Sequence, residues 1–229
     1  MMRKQTVVVR DDRVLGGHAQ SELATNKVLR NTYALLSMTL LFSGLMAAVA
    51  VMTNAQPMGM IITLVGYFGL LFLTTRLSNS PWGIASVFAL TGFMGYTLGP
   101  IINLYLGLPN GSQIVMTAMG GTGAIFLGLS GYALVTRKDF SFMSGFLMVG
   151  ILVAFLAGIG AAVFNIPTLS LAVSAMFVLL MSGLILYQTS EIIHGGETNY
   201  ILATVTLFVS IYNLFLSLLQ LLGIFSGDD

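Results

Sequence analysis

The chain has 229 residues, of which 56% are hydrophobic and only 7% charged, and nine Lys and Arg against eight Asp and Glu give a formal net charge of +1. A soluble domain carries about 25% charged residues, so this composition excludes a folded surface facing water, and the high apolar fraction excludes a disordered chain. The near-neutral charge lacks the basic footprint of a nucleic-acid-binding protein, and the absence of Cys excludes disulfides and Cys-ligated metals. The composition predicts an integral membrane protein whose first partner is membrane lipid.

The first thirty residues differ from the rest of the chain because they are polar and carry most of the basic side chains. No apolar run before Tyr33 is long enough for a signal peptide. We therefore predict a flexible tail over residues 1–30 and a transmembrane domain over residues 31–229. Six of the nine basic residues lie in this tail, namely Arg3, Lys4, Arg10, Arg13, Lys27 and Arg30.

Seven apolar stretches follow the tail, and each has about the length needed to cross a hydrocarbon core of ~30 Å as a helix. A transmembrane β-barrel is excluded because its strands alternate apolar and polar residues, whereas residues 175–181 are apolar throughout. Short breaks containing Pro, Gly, Asn or Ser separate the stretches, so successive helices should run antiparallel. The sequence predicts an all-α membrane protein with seven transmembrane helices, over roughly residues 32–53, 58–75, 83–106, 113–135, 142–164, 168–188 and 199–223.

The basic residues outside the tail lie in alternate loops, with Arg76 after the second stretch and Arg137 and Lys138 after the fourth. If the tail is cytoplasmic, all nine Lys and Arg fall on the cytoplasmic side. The positive-inside rule therefore predicts a cytoplasmic N-terminus and, with seven spans, an external C-terminus.

The last stretch is the most informative because polar residues recur along it at spacings of four and three. These spacings place the polar residues on one face of a helix, and lipid cannot satisfy such a face, so it should point into the bundle or toward water. One reading is hydrogen bonding between packed helices, and the other is the lining of an ion or proton path. The residues of this polar stripe are Thr206, Ser210, Asn213, Ser217 and Gln220.

A cluster of two acids and one histidine lies in the most polar break, residues 189–198, and consists of Glu191, His194 and Glu197. Histidine titrates near neutral pH, so a pH sensor is one reading, but the sequence favours a solvated loop. Ion relays usually need carboxylates inside the spans, and the seven stretches contain none, which argues against a strongly coupled transporter.

No motif indicates an enzyme with its own active site, a metal centre or a cofactor. The two histidines are separated by most of the chain, and the Gly-Gly-Thr-Gly run of the fourth stretch lacks the Lys-Ser/Thr of a phosphate-binding loop. Small residues instead let membrane helices approach closely. We expect such contacts at Gly95 and Gly99 in the third stretch and at Gly120, Gly121, Gly123, Gly128 and Gly131 in the fourth.

Five separated segments resemble, in order, motifs of the Bax inhibitor-1 family, and most closely its bacterial YccA-like branch. The resemblance covers nearly all of the chain from about Lys27 onward. The segments are KVLRNTY at 27–33, GFMGYTLGP at 92–100, TRKDFS at 136–141, IHGGETNY at 193–200 and YNLF at 212–215. The resemblance implies a seven-helix bundle in which the last helix is central and surrounded by the other six.

The resemblance also bears on ion conduction. In family members that leak calcium in a pH-dependent way, it implies two aspartates on the sixth and seventh helices that share a proton, with an arginine near the second helix. Here those positions hold Gln188 and Ser210, and Arg76 is a loose counterpart of the arginine. Gln and Ser cannot exchange a proton at physiological pH, so the acidic switch is missing, although the two side chains could still hydrogen-bond to each other.

The resemblance to the YccA-like branch implies a different role. It implies a protein that binds the membrane-bound ATP-dependent zinc protease of the bacterial inner membrane and slows the degradation of other membrane proteins. The tail is long enough for an unfoldase to engage, and a stable bundle behind it could occupy the protease. The sequence therefore favours an inner-membrane protease modulator with no enzymatic activity or cofactor of its own. The alternative is a pH-sensitive calcium or proton leak lined by Arg76, Gln188 and the polar stripe.

Overall fold

The structure is a computed structural model that describes the backbone over residues 5–225 and the side chains over residues 23–224. Within this range, seven α-helices are joined by short loops, and a 3-10 turn over Ser141–Met143 precedes the fifth helix. Each helix contains a stretch long and apolar enough to cross a membrane, which confirms the predicted fold class. The helices are α1 (Gln5–Met52), α2 (Met60–Leu77), α3 (Trp82–Leu106), α4 (Gly111–Thr136), α5 (Ser144–Val163), α6 (Pro167–His194) and α7 (Tyr200–Phe225).

The first helix starts earlier than the first apolar stretch. α1 begins at Gln5, and its membrane-crossing part is Leu23–Met52 rather than residues 32–53. The predicted flexible tail falls mainly on residues whose side chains lie outside the described range, so its mobility stays a prediction.

The sixth helix ends later than predicted. It continues to His194 and is capped by Gly195 in the left-handed conformation, with φ of 76°. Residues 188–190 are polar, but they are buried between helices rather than solvated. Polar side chains that contact neighbouring helices do not end a membrane helix, so the loop predicted over residues 189–198 is wrong for its first six positions.

The last helix lies at the centre of the bundle. In an apolar stretch of 18 residues, 61% of the residues of α7 are buried, against 6% in α2 and 17% in α5. α7 packs directly on α1, α3, α4 and α6. The central position expected for the last helix is therefore confirmed, although α2 and α5 form an outer layer that packs mainly on α3 and on α6.

Glycines allow α1 and α3 to approach closely, as predicted. A Cβ atom on Gly95 would meet the backbone carbonyl oxygen of Ser43, and one on Gly99 would meet the Cβ of Ala50. Any side chain at these two positions would force the helices apart, so the small residues set the distance between α1 and α3.

The corresponding prediction for α4 is wrong at four of its five glycines. A Cβ atom on Gly121 would lie 3.6 Å from Leu218 Cδ1 of α7, an ordinary van der Waals contact. Among the described residues, no atom lies within 4 Å of a Cβ position at Gly120, Gly123, Gly128 or Gly131. α4 instead packs on α6 and α7 through a different face, which buries residues that include Val115 and Ala133. Glycine spacing alone does not reveal which face of a helix meets its neighbours.

The loops after α2, α4 and α6 meet at one end of the bundle, which we call the charged end. Asn199 Nδ2 donates to the carbonyl oxygen of Ser78 over 3.3 Å, and His194 Nε2 lies 3.1 Å from the carbonyl oxygen of Arg137. The first membrane-crossing turn of α1 lies here too, because Thr25 shares a cavity with Arg137 and His194. Five basic residues therefore gather at this end, namely Lys27, Arg30, Arg76, Arg137 and Lys138.

Candidate functional site

The polar stripe of α7 is bonded to α6 at the end remote from the charged end. Ser174 Oγ donates to Gln220 Oε1 over 2.6 Å, and Gln220 Nε2 donates to Ser170 Oγ over 2.5 Å. The two serines lie one helical turn apart on α6, so they bracket the amide. Both sides of the amide are satisfied, and this part of the stripe fits the packing reading.

In the middle of α7 the stripe residues bond to their own helix. Ser210 Oγ donates to the carbonyl oxygen of Thr206 over 2.7 Å, and Asn213 Nδ2 donates to that of Val209 over 2.8 Å. Ser217 is buried on the same face. Bonds to the carbonyl four residues earlier satisfy polar hydrogens without a partner on another helix. The stripe is therefore held by separate local bonds rather than by one continuous network.

One member of the stripe reaches a cavity. Asn213 lines a space of about 670 Å³ formed by residues of α2, α3, α5, α6 and α7. Much of its wall is aromatic, including Phe93, Phe155 and Phe177. The other four stripe residues do not line this cavity, so the stripe and the cavity meet only at Asn213.

Gln188 and Ser210, the positions where the family resemblance implies aspartates, are both buried but do not bond to each other. Ser210 bonds to Thr206, and Gln188 Nε2 has no hydrogen-bond partner among the described residues. A buried donor without a partner costs about 1–3 kcal/mol. Gln188 therefore marks one of two unsatisfied polar positions in the described interior, the other being Thr32 Oγ1.

Arg76 lies apart from these residues. It is exposed in the last turn of α2, and α2 packs mainly on α3 rather than on α7. The structure therefore brings the stripe residues and Gln188 into the bundle and leaves Arg76 at its charged end.

Sequence reasoning missed a buried polar junction between α1, α4 and α6. The Tyr33 hydroxyl lies 2.7 Å from Ser130 Oγ and 3.3 Å from Thr189 Oγ1, and these two hydroxyls are 3.1 Å apart. On α7, the Thr204 hydroxyl lies 3.2 Å from the carbonyl oxygen of Thr32 and 2.7 Å from that of Tyr200, so its one hydrogen is shared between α1 and its own helix. Ser130 and Thr204 are single polar positions in apolar stretches, and Thr189 lies in a polar run that looks like a loop, so only the motif at residues 27–33 signalled two of these residues.

At the charged end, α6 is fastened to the loop after α4. The backbone N–H of Phe140 donates to Ser190 Oγ over 3.0 Å, and Ser190 Oγ donates to the carbonyl oxygen of Lys138 over 3.2 Å. His194 places Nδ1 2.9 Å from the carbonyl oxygen of Ser190 and Nε2 3.1 Å from that of Arg137. His194 therefore lies in the last turn of α6 and contacts the loop after α4. Its side chain is exposed, as the solvated-loop reading expects, but the residue belongs to a helix rather than to a loop.

The two acids of the cluster have different surroundings. Glu197 Oε1 accepts a hydrogen bond from the backbone N–H of Asn199 over 2.7 Å, just before α7 begins. Asn199 Oδ1 in turn accepts from the N–H of Ile201 over 2.9 Å, so these residues fix the start of α7. Glu191 is half-buried on α6, next to Gly196.

Asp139 is an acid in the same loop whose ionised form is stabilised. Its Oδ1 accepts a hydrogen bond from the backbone N–H of Ser141 over 2.8 Å. This bond, and a further one from the Ser141 side chain, lower the pKa of the Asp139 carboxyl below its usual value, with a smaller contribution from the charge of His194. The carboxylate thereby holds the 3-10 turn that leads into α5.

A second cavity, of about 450 Å³, opens at the charged end and is lined by residues that include Asn26, Leu29, Arg137 and His194. The C-terminal carbonyls of α4 and α6 point toward this end and carry partial negative charge, which offsets the positive charge of the arginine. Among the residues described, no three His, Cys, Asp or Glu side chains are grouped as a metal site would require.

The sequence matches known proteins over most of its length. Residues 25–227 match the family of the inhibitor of apoptosis-promoting Bax1. A Pseudomonas aeruginosa protein of uncharacterised function is 57% identical over 202 residues, which cover 88% of this chain and 91% of that protein. The Escherichia coli protein named modulator of FtsH protease YccA is 53% identical over 208 residues, covering 91% of this chain and 94% of the relative. A protein of a second Escherichia coli strain, named inner membrane protein YccA, matches to the same extent.

Proposed function

The chain belongs to the Bax inhibitor-1 family, and from that premise we propose that this multi-pass membrane protein binds and inhibits the membrane-bound ATP-dependent protease FtsH. The observation that carries the proposal is 53% identity over 208 residues to the Escherichia coli protein named for modulating that protease. The match covers 94% of that relative, so it extends along the membrane domain rather than resting on one motif.

The proposed mechanism is competition. The polar segment from Arg3 to Arg30 is the handle that an ATP-driven unfoldase engages, and the bundle is the anchor that resists extraction. Resistance is supported by the burial of α7, which contacts four other helices and must be separated from all of them when the chain is pulled out. A substrate that is gripped but slowly extracted keeps the protease from other membrane proteins.

The proposed location is the bacterial inner membrane, with the N-terminus in the cytoplasm and the C-terminus outside. A relative that is 53% identical is named an inner membrane protein. All nine Lys and Arg fall on the cytoplasmic side in this orientation. The gathering of five of them at one end of the bundle supports the same arrangement, in which the handle lies on the cytoplasmic side.

The test is the half-life of an unstable membrane protein in vesicles that contain FtsH, with and without this chain. We expect the wild-type chain to lengthen that half-life and a deletion of residues 2–20 to remove the effect. This deletion spares Thr25 and Asn26, which line the cavity at the charged end, so the bundle should stay intact. A control with residues 2–20 in scrambled order keeps the length and charge of the handle and should still inhibit.

The outcomes separate the role from its mechanism. An unchanged half-life with the wild-type chain would overturn protease modulation. If the chain without residues 2–20 still inhibits, protease modulation is supported but the N-terminal segment is not the part that the protease engages. The protease would then bind the bundle.

A calcium or proton leak is the second candidate function, and the observation that favours it is the polar interior. Gln188 Nε2 has no hydrogen-bond partner among the described residues, and Asn213 lines a cavity. The missing acidic pair and the bonds of Ser210 and Asn213 to their own helix weigh against it. We therefore rank it below protease modulation.

The leak is tested with calcium and proton indicators in liposomes that contain only the purified chain, at about pH 6 and about pH 8, either side of the usual histidine titration. A leak predicts flux that Asn213→Leu abolishes and that Ser37→Leu leaves unchanged. Ser37 is the matched control because it is exposed on α1 and bonds to its own helix over 2.8 Å. Flux no higher than in empty liposomes would indicate that the polar stripe serves helix packing rather than ion conduction.

We also propose that the chain has no catalytic activity of its own, and the relative named as a modulator of a protease supports this. A purified sample that degraded an unfolded substrate in the absence of FtsH would contradict it.

A further inference from the structure

The cavity of about 670 Å³ lies at the depth of the membrane hydrocarbon. It reaches Val209, Tyr212 and Asn213, which lie near the middle of α7 (Tyr200–Phe225). Its volume falls in the range of about 300–1,000 Å³ that small-molecule pockets occupy. It forms because α2 and α5 pack on α3 and α6, which leaves a space between the two outer helices and α7.

The cavity connects the lipid-facing surface with the core. On the α5 side its rim includes Met148 and Leu152, whose side chains are 77% and 57% exposed. Its floor includes Met94 and Met181, which are only 4% and 2% exposed. A molecule that enters from the bilayer therefore passes from exposed to buried side chains without leaving an apolar surface.

Five of the seventeen lining residues carry a polar group; Thr63, Thr97 and Asn213 donate to nearby backbone carbonyls, and Tyr67 and Tyr212 add hydroxyl groups to the lining. Thr97 Oγ1 donates to the carbonyl oxygen of Met94 over 2.9 Å, and Asn213 Nδ2 donates to that of Val209 over 2.8 Å. Thr63 Oγ1 donates to the carbonyl oxygen of Met58 over 3.4 Å. Among the residues that the structure describes, no Asp, Glu, Lys or Arg lines the cavity. Water needs several polar partners to be retained, so this lining favours an apolar occupant.

The size of the cavity decides between apolar occupants. The rings of Phe68 on α2 and Phe155 on α5 are in edge-to-face contact, with centroids 5.7 Å apart, so they bridge the two outer helices and a molecule must enter beside them. A helix with its side chains is about 10–12 Å across, so a space of about 670 Å³ would hold little more than one turn of a partner's transmembrane helix. A single hydrocarbon chain is much thinner, and lipid chains fill the surroundings of the cavity.

We propose that this cavity binds one acyl chain of a membrane phospholipid, which enters between α2 and α5 and ends against α7. The aromatic walls supply apolar contact area along the chain. The bound chain covers Asn213 and closes the part of the α7 stripe that opens toward the bilayer.

The first test uses the wild-type protein in vesicles of phosphatidylethanolamine and phosphatidylglycerol, with a fraction of the phosphatidylglycerol carrying a photoreactive diazirine in one acyl chain. After illumination, peptide mapping should find labelling at Met94 or Met181 as well as on exposed faces. These floor residues are buried, so lipid that only surrounds the protein cannot label them. Labelling confined to exposed residues would overturn the proposal.

The second test counts lipid molecules retained by the purified protein in detergent, by native mass spectrometry. We expect a phospholipid-sized adduct on the wild-type chain, its loss in Leu152→Trp, and its retention in Val153→Trp. The two positions are adjacent on α5 and similarly exposed, at 57% and 52%, but Leu152 lines the cavity and Val153 does not. Equal retention by both variants would overturn the site, and an adduct with a mass other than a phospholipid would overturn the assignment of the occupant.

Discussion

His194 on α6 holds its Nε2 3.1 Å from the backbone carbonyl oxygen of Arg137, the residue that caps α4. Its Nδ1 lies 2.9 Å from the carbonyl oxygen of Ser190, one turn earlier on α6. Carbonyl oxygens at helix C-termini lack intrahelical donors and carry partial negative charge. An imidazole N–H can donate to such a carbonyl oxygen, so His194 joins the ends of α4 and α6.

Replacing His194 with Leu should lower the free energy of unfolding by about 0.5–1.5 kcal/mol, because a hydrogen bond of about that worth between the ends of α4 and α6 is lost. The measurement is the thermal unfolding of the purified chain in detergent. His194→Gln keeps a donor and should lose less. Thr198→Ala is the control because this residue is exposed in the adjoining loop. A Leu variant as stable as the wild type would show that the contact of His194 with the end of α4 does not contribute to the stability of the bundle.

Asp139 should make the same end of the bundle sensitive to acid. Its hydrogen bonds to Ser141 lower its pKa in the folded state, so its stabilising effect is complete above the pKa of the unfolded chain and is lost as pH falls through the lower, folded value. The loss therefore lies below about pH 4, the ordinary range of an aspartate. Asp139→Asn keeps the acceptor oxygen but cannot titrate.

The measurement for Asp139 is the difference in unfolding temperature between the wild type and Asp139→Asn, followed from about pH 6 to about pH 3 across the usual aspartate pKa. The advantage of the wild type should shrink as the solution becomes more acidic. A difference that is constant over this range would contradict the assignment, since other carboxyls affect both proteins equally.

The number of helices could be predicted from the sequence because lipid imposes a simple rule, namely an apolar stretch of sufficient length with turn residues on either side. The same rule failed at the end of α6. Thr189 and Ser190 look like solvated residues in one dimension, but they contact Tyr33 and Phe140 across the bundle. Their partners are 156 and 50 residues away, and no local pattern encodes such contacts.

The glycines of α3 and α4 provide a matched test of close packing. Gly95→Ala should destabilise the bundle by about 1–3 kcal/mol, because overpacked groups force the backbone to shift and its new Cβ would meet the carbonyl oxygen of Ser43. Gly128→Ala meets no neighbouring atom, so it should be neutral or more stable by up to about 1 kcal/mol from helix propensity. Thermal unfolding measures both, and equal effects at the two positions would contradict the α1–α3 contact.

The candidate site was only partly predictable. The 4–3 spacing identified the face of α7 that points inward, because any buried helical face repeats that way. Whether each residue bonds to its own helix, as Asn213 does, or to a neighbour, as Gln220 does, depends on the distance to α6. The cavity of about 670 Å³ could not be predicted from the sequence. Its lining comes from five helices, and its apolar residues resemble those of any other membrane-facing surface.

The last prediction compares two glutamines with opposite surroundings. Gln220→Leu should lower the free energy of unfolding by about 1 kcal/mol, because two bonds to α6 are lost and each averages about 0.6 kcal/mol between membrane helices. Gln188→Leu removes a buried donor without a partner, so it should be neutral or stabilising by up to about 1–3 kcal/mol. Thermal unfolding in detergent should therefore shift in different directions for the two variants. If Gln188→Leu proved as destabilising as Gln220→Leu, its amide would have to be satisfied by a bound group, and the interior around α6 and α7 would be wetter than its hydrogen bonds indicate.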